Sequence, residues 1–262
     1  MIVNLPNFFF IGPKSKLVNK LASALGHNPL VFLPEYTGQH YFSNDEFYRR
    51  GIGFYYKKFE QATHEQFKGE YAPDYIHYPE KVVKRLRYLY SRDISELKFV
   101  CVLENPFDLL LKCYKENVDA GIESLSLEKA LVRELALKSS SSYVQHGYSL
   151  GLYQGNSSYA SLLAPWIRQF GQERVKVIFD FEVREEREML KEVEAFIGVP
   201  NLGFIPFEKS KSKEKMGAME KFELLSELPI ETVIKIESEI VALEKLLDKD
   251  LSNWFLEEKI LV

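Results

Sequence analysis

The chain has 262 residues, of which 46% are hydrophobic and 27% are charged, and this globular composition excludes a disordered or low-complexity chain. The net charge of −4 provides no global positive field for nucleic acid or an anionic membrane, so any anion site must be local. No apolar run approaches the ~18 residues that span a bilayer and no secretory signal is visible, so we expect a cytoplasmic protein.

The first element of the chain is a short, mostly apolar run that ends in glycine, NFFFIG from Asn7 to Gly12. Such a run is typical of a strand that is buried in a parallel sheet. The residues PKSK follow at once, and Leu17, Leu21 and Leu25 then recur at helical spacing. The predicted order is therefore strand, tight turn and helix.

Two further apolar runs predict buried strands, LKFVCVL from Leu97 to Leu103 and VKVIF from Val175 to Phe179. Each is followed by a turn and an amphipathic helical pattern. This alternation predicts an α/β fold with a central parallel sheet flanked by helices. The expected buried neighbours in the sheet are Phe8 to Ile11, Phe99 to Leu103 and Val175 to Phe179.

Helical periodicity covers much of the remaining chain, and the C-terminal third is expected to be helical. One or two helices are predicted between Phe222 and Leu247, with Pro229 in a first turn. The aromatic-rich stretch from Tyr41 to Phe59 is interpreted as packing, and so are Trp166 and Trp254. Further helices are predicted at Pro79 to Tyr90, Pro106 to Asn117, Leu127 to Lys138, Ser158 to Phe170 and Glu185 to Ile197.

Two polar segments predict exposed loops. The first comprises residues 139–142 together with GYSLGLYQGNSS at 147–158, and the second is EKSKSKEK at 208–215. Neither divides the chain into separately cored halves, so one domain over residues 1–262 is expected. Cys101 and Cys113 lack zinc-ligand spacing and are interpreted as reduced core residues. The acidic cluster at 180–186 is interpreted as a solvated helix start, so no metal site is predicted.

The turn Gly12-Pro13-Lys14-Ser15 is the most informative local feature for function. A strand-to-helix turn offers backbone N–H groups and the positive end of a helix, which attract phosphate or sulfate, and a lysine adds a cation. This pattern favours a nucleotide-like ligand. Similar joints that carry a lysine are also common in proteins without such a ligand, so the residues alone leave both interpretations open.

Eight separated segments give the chain a resemblance to a known family. In order and spacing they resemble the sulfotransferases that use 3′-phosphoadenosine 5′-phosphosulfate (PAPS), in the branch of the heparan sulfate and bacterial small-molecule sulfotransferases. The resemblance implies a P-loop-like α/β fold, with the 5′-phosphosulfate at the first turn, the 3′-phosphate after the second predicted strand, and a small-molecule acceptor. The segments are FFFIGPKSK, HNPLVFLPE, QHYF, GEYAPDYIHYPE, LKFVCVLENPFDLLLKCY, GIESLSLEKAL, SYASLLAPWIRQFGQERVKVIFDFEVRE and LLDKDLSNW.

The first turn keeps only part of the family pattern. The family reads PKSGTT where this chain has PKSKLV from Pro13 to Val18. Lys14 keeps the lysine that neutralises the leaving phosphate, but Lys16 replaces the glycine, and Leu17 and Val18 replace two threonines that bind phosphosulfate. The cofactor contacts that the resemblance implies at this turn are Gly12, Pro13, Lys14, Ser15 and Lys16.

The acceptor-side motif of the family, KEPHYF, is matched by TGQHYF from Thr37 to Phe42. Gly38 stands where the family has the glutamate that acts as general base. The resemblance leaves His40 as a substitute base. The alternative is a neutral structural histidine that packs beside the aromatic residues.

The third motif of the family, LRNPxDRxxSxY, is matched from Leu103 to Tyr114. Glu104 replaces the arginine and Lys112 replaces the serine that hold the 3′-phosphate. Lys112 is expected to pair with Glu104 or Asp108, and the alternative is a new phosphate contact. Tyr153, Ser158 and Tyr159 fall where the family has a mobile loop over the nucleotide, so the resemblance implies a cofactor contact of Tyr159. The alternative is that these loop side chains serve only solvation and turn formation.

Three functions follow from these observations. The first is an active sulfotransferase that transfers a sulfuryl group from PAPS to a hydroxyl or amine, with Lys14 and His40 as catalytic residues. The second is a catalytically inactive homologue that serves as a binding or partner protein, since the replacements fall on ligand contacts. The third is a fold relative that binds a different anionic ligand through the added Lys16 and Lys112.

Overall fold

The computed structural model describes residues 5–35, 40–63, 67–138, 153–182, 186–202 and 216–256. The chain forms two compact units, and each is built from two stretches of sequence. Residues 1–103 and 165–210 form the first unit, and residues 104–164 and 211–262 form the second. The single domain expected from the sequence stays a prediction beside this division.

A five-stranded sheet forms the centre of the first unit, with every neighbouring pair of strands parallel. The strand order is β2-β3-β1-β4-β5, so the three predicted strands are neighbours, as expected. The prediction that all three are buried is only partly right, because β5 forms an edge of the sheet and its Lys176 and Val177 are half-buried. Two strands, β2 and β3, were not predicted. The strands are β1 (Phe8–Phe10), β2 (Val31–Phe32), β3 (Phe67–Tyr71), β4 (Lys98–Leu103) and β5 (Val175–Phe179).

Helices account for most of the other described residues, and each predicted helix is confirmed to within a few residues at its ends. The region from Phe222 to Leu247 holds parts of two helices, with Pro229 as the N-terminal cap of the last one. None of the helices in the described stretches is long and apolar enough to cross a membrane. The helices are α1 (Lys16–Gly26), α2 (Asp45–Arg49), α3 (Ile52–Tyr56), α4 (Pro79–Tyr90), α5 (Pro106–Asp119), α6 (Leu127–Lys138), α7 (Tyr153–Asn156), α8 (Tyr159–Phe170), α9 (Glu186–Ile197), α10 (Ala218–Ser226) and α11 (Ile230–Leu247).

Strand β1 is buried on both faces, which explains its uninterrupted apolar run. On one face, Phe8 and Phe10 join a core cluster to which α1 and α9 contribute. On the other face, the ring of Phe9 stacks on that of Phe99 at 5.5 Å between centroids, and Phe99 lies 5.0 Å from the buried Trp166. Successive side chains of β1 therefore pack on opposite faces of the sheet, one against mainly aliphatic residues and the other against aromatic rings.

Both cysteines lie in the described part of the chain and are free thiols, Cys101 buried and Cys113 half-buried. Burial raises the pKa of the Cys101 thiol, and it raises the pKa of Cys113 to about 12. Neither thiol is a nucleophile at neutral pH, because the thiolate is the reactive form. The interpretation as a core residue is confirmed for Cys101, whereas Cys113 is only half-buried.

The prediction of an exposed loop at 147–158 is wrong for its described part. Residues 153–156 form helix α7, and Tyr153 and Gln154 are buried. The cause is a pair of buried carboxylates. Glu134 accepts the backbone N–H of Gln154 at 2.9 Å, and Glu123 accepts the Tyr153 hydroxyl at 2.9 Å. Residues 157 and 158 follow α7 outside any helix or strand, and Ser157 is buried. Residues 139–142, 147–152 and 208–215 of the two predicted loops lie outside the described residues.

Candidate functional site

The turn between β1 and α1 has the geometry that the sequence predicts. Ser15 is the N-cap of α1, with extended backbone angles, and its Oγ accepts the backbone N–H of Val18 at 3.1 Å. The other amides of this first helical turn have no partner within the helix, and they form its positive end. Lys14 is exposed beside them. Backbone donors and a cation therefore lie together, as an anion site requires.

Two positions where the family carries threonine contribute to the core instead. Val18 is 2% exposed and belongs to the apolar cluster under the sheet, and Leu17 packs against that cluster. These side chains supply apolar packing and no hydroxyl. Lys16 begins α1. At these two positions, Leu17 and Val18, an anion would therefore meet backbone amides and no hydroxyl.

Gly12 is held in a conformation and a space that only glycine tolerates. Its φ is +103°, and a Cβ built on it would lie 2.5 Å from the Sγ of Cys101 on the neighbouring strand β4. Its backbone N–H donates to the carbonyl of Pro73 at 3.4 Å. That bond joins the turn after β1 to the short 3-10 helix Pro73–His77, which follows β3.

We expect Gly12→Ala to lower the free energy of unfolding by about 3 kcal/mol, from the strained φ together with the overpacking against Cys101. Urea denaturation measures this change. Gly53→Ala is the matched control, because a Cβ at Gly53 in α3 meets no atom within 4 Å. The control should shift the unfolding free energy by less than about 1 kcal/mol. Equal behaviour of the two variants would contradict the close approach at Gly12.

His40 and Asp74 form a pair in the same unit as the turn. The Nε2 of His40 lies 3.0 Å from Oδ2 of Asp74, and the side chains are 14% and 5% exposed. Asp74 is carried by the 3-10 helix whose first residue, Pro73, accepts the N–H of Gly12. His40 therefore lies at the carboxyl end of β3, which is joined to the turn after β1 by the Gly12 to Pro73 hydrogen bond. Gly38 lies outside the described residues.

A buried polar network around Glu70 and Tyr75 anchors the segment that follows His40. Tyr75 donates its hydroxyl to the Glu70 carboxylate at 3.3 Å and accepts the backbone N–H of Phe42 at 3.2 Å. Glu70 also accepts the Tyr55 hydroxyl at 2.7 Å and the Lys58 ammonium at 2.9 Å. Burial, with the nearby Glu70 charge, raises the pKa of Tyr55 and of Tyr75 well above the ordinary value. Both hydroxyls therefore stay protonated, and the segment after His40 is anchored.

Sequence reasoning missed Asp74 and Glu70. Both lie in GEYAPDYIHYPE, which carried part of the resemblance. The available signal was an acidic residue after proline at the end of a strand that was not recognised. Because the strand was missed, the position of Asp74 at the edge of the sheet was missed with it.

In the second unit, Glu104 and Lys112 form the ion pair predicted from their spacing. Lys112 Nζ lies 2.8 Å from Glu104 Oε1, and the side chains are 29% and 18% exposed. Partial burial of Lys112 works against its charge, but the attraction and hydrogen bond of Glu104 outweigh it and raise the pKa of Lys112. The alternative partner, Asp108, is paired with Lys221. The charge of Lys112 is therefore neutralised by its own unit.

Tyr159 lies beside this ion pair and is buried. Its hydroxyl donates to the backbone carbonyl of Glu104 at 3.0 Å, and its ring lies 6.0 Å from that of Trp254. Asn105 caps α5 by accepting the N–H of Phe107 at 2.9 Å and donates to the Trp254 carbonyl at 3.3 Å. These contacts stabilise the start of α5, and a cofactor contact of Tyr159 stays a prediction.

The predicted site residues are divided between the two units. Gly12, Pro13, Lys14, Ser15, Lys16 and His40 belong to the first unit, and Lys112 and Tyr159 belong to the second. Within the first unit, the Gly12 to Pro73 hydrogen bond connects the turn with the His40 and Asp74 pair. Within the second unit, Glu104 contacts both Lys112 and Tyr159.

Comparison with known proteins identifies the fold. No protein-family model matches the chain, and no curated protein matches it either. Among solved structures, a sulfotransferase from Alicyclobacillus acidocaldarius is similar with a TM-score of 0.75 and 24% sequence identity, over 96% of this chain and 99% of that chain. The chain has a sulfotransferase-like α/β fold. The likeness to sulfotransferases that the sequence segments indicate is confirmed at the level of the fold.

Proposed function

We propose that this protein transfers a sulfuryl group from PAPS to a hydroxyl or amine of a small-molecule acceptor. The observation that carries the proposal is the Gly12 to Pro73 hydrogen bond. It joins the turn that carries Lys14, which is suited to bind an anion, to the pair of His40 and Asp74 in the same unit. A phosphosulfate site beside a base is the minimum that this reaction requires.

The chemistry assigns a role to each group. The acceptor oxygen or nitrogen attacks sulfur, the bond from sulfur to the bridging phosphate oxygen breaks, and His40 takes the acceptor proton. Lys14 and the amides at the start of α1 stabilise the negative charge that grows on the phosphate oxygen. The products are the sulfated acceptor and 3′-phosphoadenosine 5′-phosphate.

Transfer of label tests the proposal directly. The full chain is incubated with [35S]PAPS and pooled phenols, sugars and amines, and labelled products are separated by chromatography. We expect label in at least one acceptor, and we expect His40→Gln to reduce that label by about 10²-fold or more, as for loss of a general base. The exposed His27→Gln is the matched control. Transfer that is insensitive to His40 would contradict the assigned role.

A second candidate function rests on the ion pair of the second unit. Because Glu104 neutralises Lys112, the residues matched to the family's 3′-phosphate contacts present no net positive charge. This observation favours a sulfotransferase-like protein that has lost catalysis, or one that binds a different anion at the first turn. Binding of 3′-phosphoadenosine 5′-phosphate separates these functions, because tight binding that depends on Lys112 would favour the active enzyme.

A further inference from the structure

Asp74 is an unusual residue for the interior of this unit. It is 3% exposed, and its Oδ1 has no hydrogen-bond partner among the residues that the structure describes. Its other oxygen meets His40 at 3.0 Å. A buried carboxylate with half of its hydrogen-bonding capacity unused costs free energy, since burial of a charge is favourable only when it is fully paired. Packing alone therefore does not account for an aspartate here.

The other titratable groups near Asp74 do not neutralise it. Burial lowers the pKa of His77 to about 4 although the Asp74 charge opposes that shift, so the ring is neutral at pH 7. Burial, followed by the charge of Asp74, raises the pKa of Tyr71 to about 12 and also raises that of Tyr78. The direct contact with His40 is what distinguishes this carboxylate.

We propose that Asp74 is the positioning residue for His40, accepting its Nε2–H and thereby leaving the basic lone pair on Nδ1 whenever the ring carries a single proton. A neutral imidazole carries one N–H, so a carboxylate at Nε2 selects the tautomer. The inferred tautomer rests on the 3.0 Å contact between Nε2 and Asp74 and does not depend on the proposed function. Its use, in which the acceptor proton moves to Nδ1 as the acceptor attacks sulfur, rests on the proposed function.

Nitrogen NMR of the ring tests the tautomer without any assay of activity. The 15N-labelled full chain has five histidines, and His40 is assigned by the signals that disappear in His40→Gln. In a two-bond 1H–15N correlation spectrum at alkaline pH, we expect the pattern of the Nε2–H tautomer for His40. A pattern of the Nδ1–H tautomer, or of two exchanging tautomers, in the native chain would overturn the proposal.

Substitution of Asp74 tests its use in the reaction. An amide at this position can donate to Nε2, so Asp74→Asn should convert His40 to the Nδ1–H tautomer. In the serine protease triad the same change lowers kcat by about 10⁴-fold because the tautomer is wrong. Here we expect kcat for [35S] transfer to fall by about 10²-fold or more, with KM for the acceptor nearly unchanged.

Asp45→Asn is the matched control, because Asp45 is a half-exposed carboxylate in the same unit, paired with Arg85 and Lys81. It should leave both the His40 spectrum and kcat unchanged. A fall in kcat for Asp74→Asn no larger than that of the control, or an unchanged His40 spectrum, would overturn the proposal. If no acceptor is sulfated by the native chain, the proposed function fails while the native His40 spectrum still decides whether Asp74 sets the tautomer.

Discussion

Replacing Lys14 with alanine is expected to reduce sulfuryl transfer from PAPS by about 10²- to 10³-fold, the usual loss when one preorganised donor to developing charge is removed. Lys14 follows Gly12, whose φ is +103°, by two residues and directly precedes Ser15, the cap of α1, so it lies in sequence at the positive end of the helix. Its ammonium is suited to neutralise the leaving phosphate. Single-turnover transfer of label from [35S]PAPS measures the effect.

The variant should fold normally, because Lys14 is exposed and its side chain adds nothing to the apolar cluster that stabilises the turn. Urea denaturation should therefore give an unchanged free energy of unfolding. Lys84→Ala is the matched control, since Lys84 is an exposed lysine on α4 in the same unit. Transfer that survives Lys14→Ala at the native rate would show that the assigned chemistry is wrong.

The strands that could be predicted from the sequence are those in which both faces are apolar. The runs at β1 and β4 are apolar with little interruption because both of their faces are buried. The edge strand β5 keeps four apolar residues of five although Lys176 interrupts the run. Strand β3 reads FKGEY, and its polar residues conceal it. Glu70 is buried there because Tyr55 and Lys58 satisfy its carboxylate, and Gly69 is required because a Cβ would lie 2.2 Å from the ring of Phe8.

The geometry of the first turn was predictable because it depends on consecutive residues, whereas the pairing of His40 with Asp74 depends on tertiary structure and was not predicted. Lys14 and its turn form one local unit of strand, glycine and helix cap, so residue types and spacing were sufficient. The partner of His40 lies on another element after an unrecognised strand, and no local pattern links it to Asp74. The same reason explains α7, whose polar sequence is buried because Glu134 and Glu123 supply acceptors from elsewhere in the chain.

The native chain is expected to bind 3′-phosphoadenosine 5′-phosphate weakly, and Glu104→Arg together with Lys112→Ser is expected to strengthen binding. The Glu104 carboxylate stands where the family has an arginine, and at ~4 Å with an effective dielectric of about 20 its repulsion of a phosphate charge is about 4 kcal/mol before screening. Lys112 offsets part of this repulsion, because its Nζ lies 2.8 Å from Glu104 Oε1, but the pair as a whole supplies no net positive charge to hold a phosphate. The double substitution replaces repulsion with a bidentate cation.

Thermal shift measures the difference, since a ligand that binds only the folded state stabilises it by ~2.7 kcal/mol at about one hundred times its dissociation constant. Millimolar nucleotide should leave the native melting temperature nearly unchanged and should raise that of the double variant. Glu220→Arg with Lys115→Ser is the matched control, because it makes the same exchange at an exposed ion pair of the same unit. If the nucleotide raised the melting temperature of the control as much as that of the test variant, the stronger binding would be an effect of net charge alone.

The two remaining outcomes decide between the proposed functions. Tight binding by the native chain that the double substitution weakens would mean that Lys112 leaves Glu104 to hold the 3′-phosphate, which favours the active enzyme. If neither protein binds, the first turn limits affinity. The family has hydroxyl side chains at the positions of Leu17 and Val18, and here these two side chains pack in or against the apolar cluster. That result would favour a non-catalytic protein or a different anion, held by Lys14 and the amides at the start of α1.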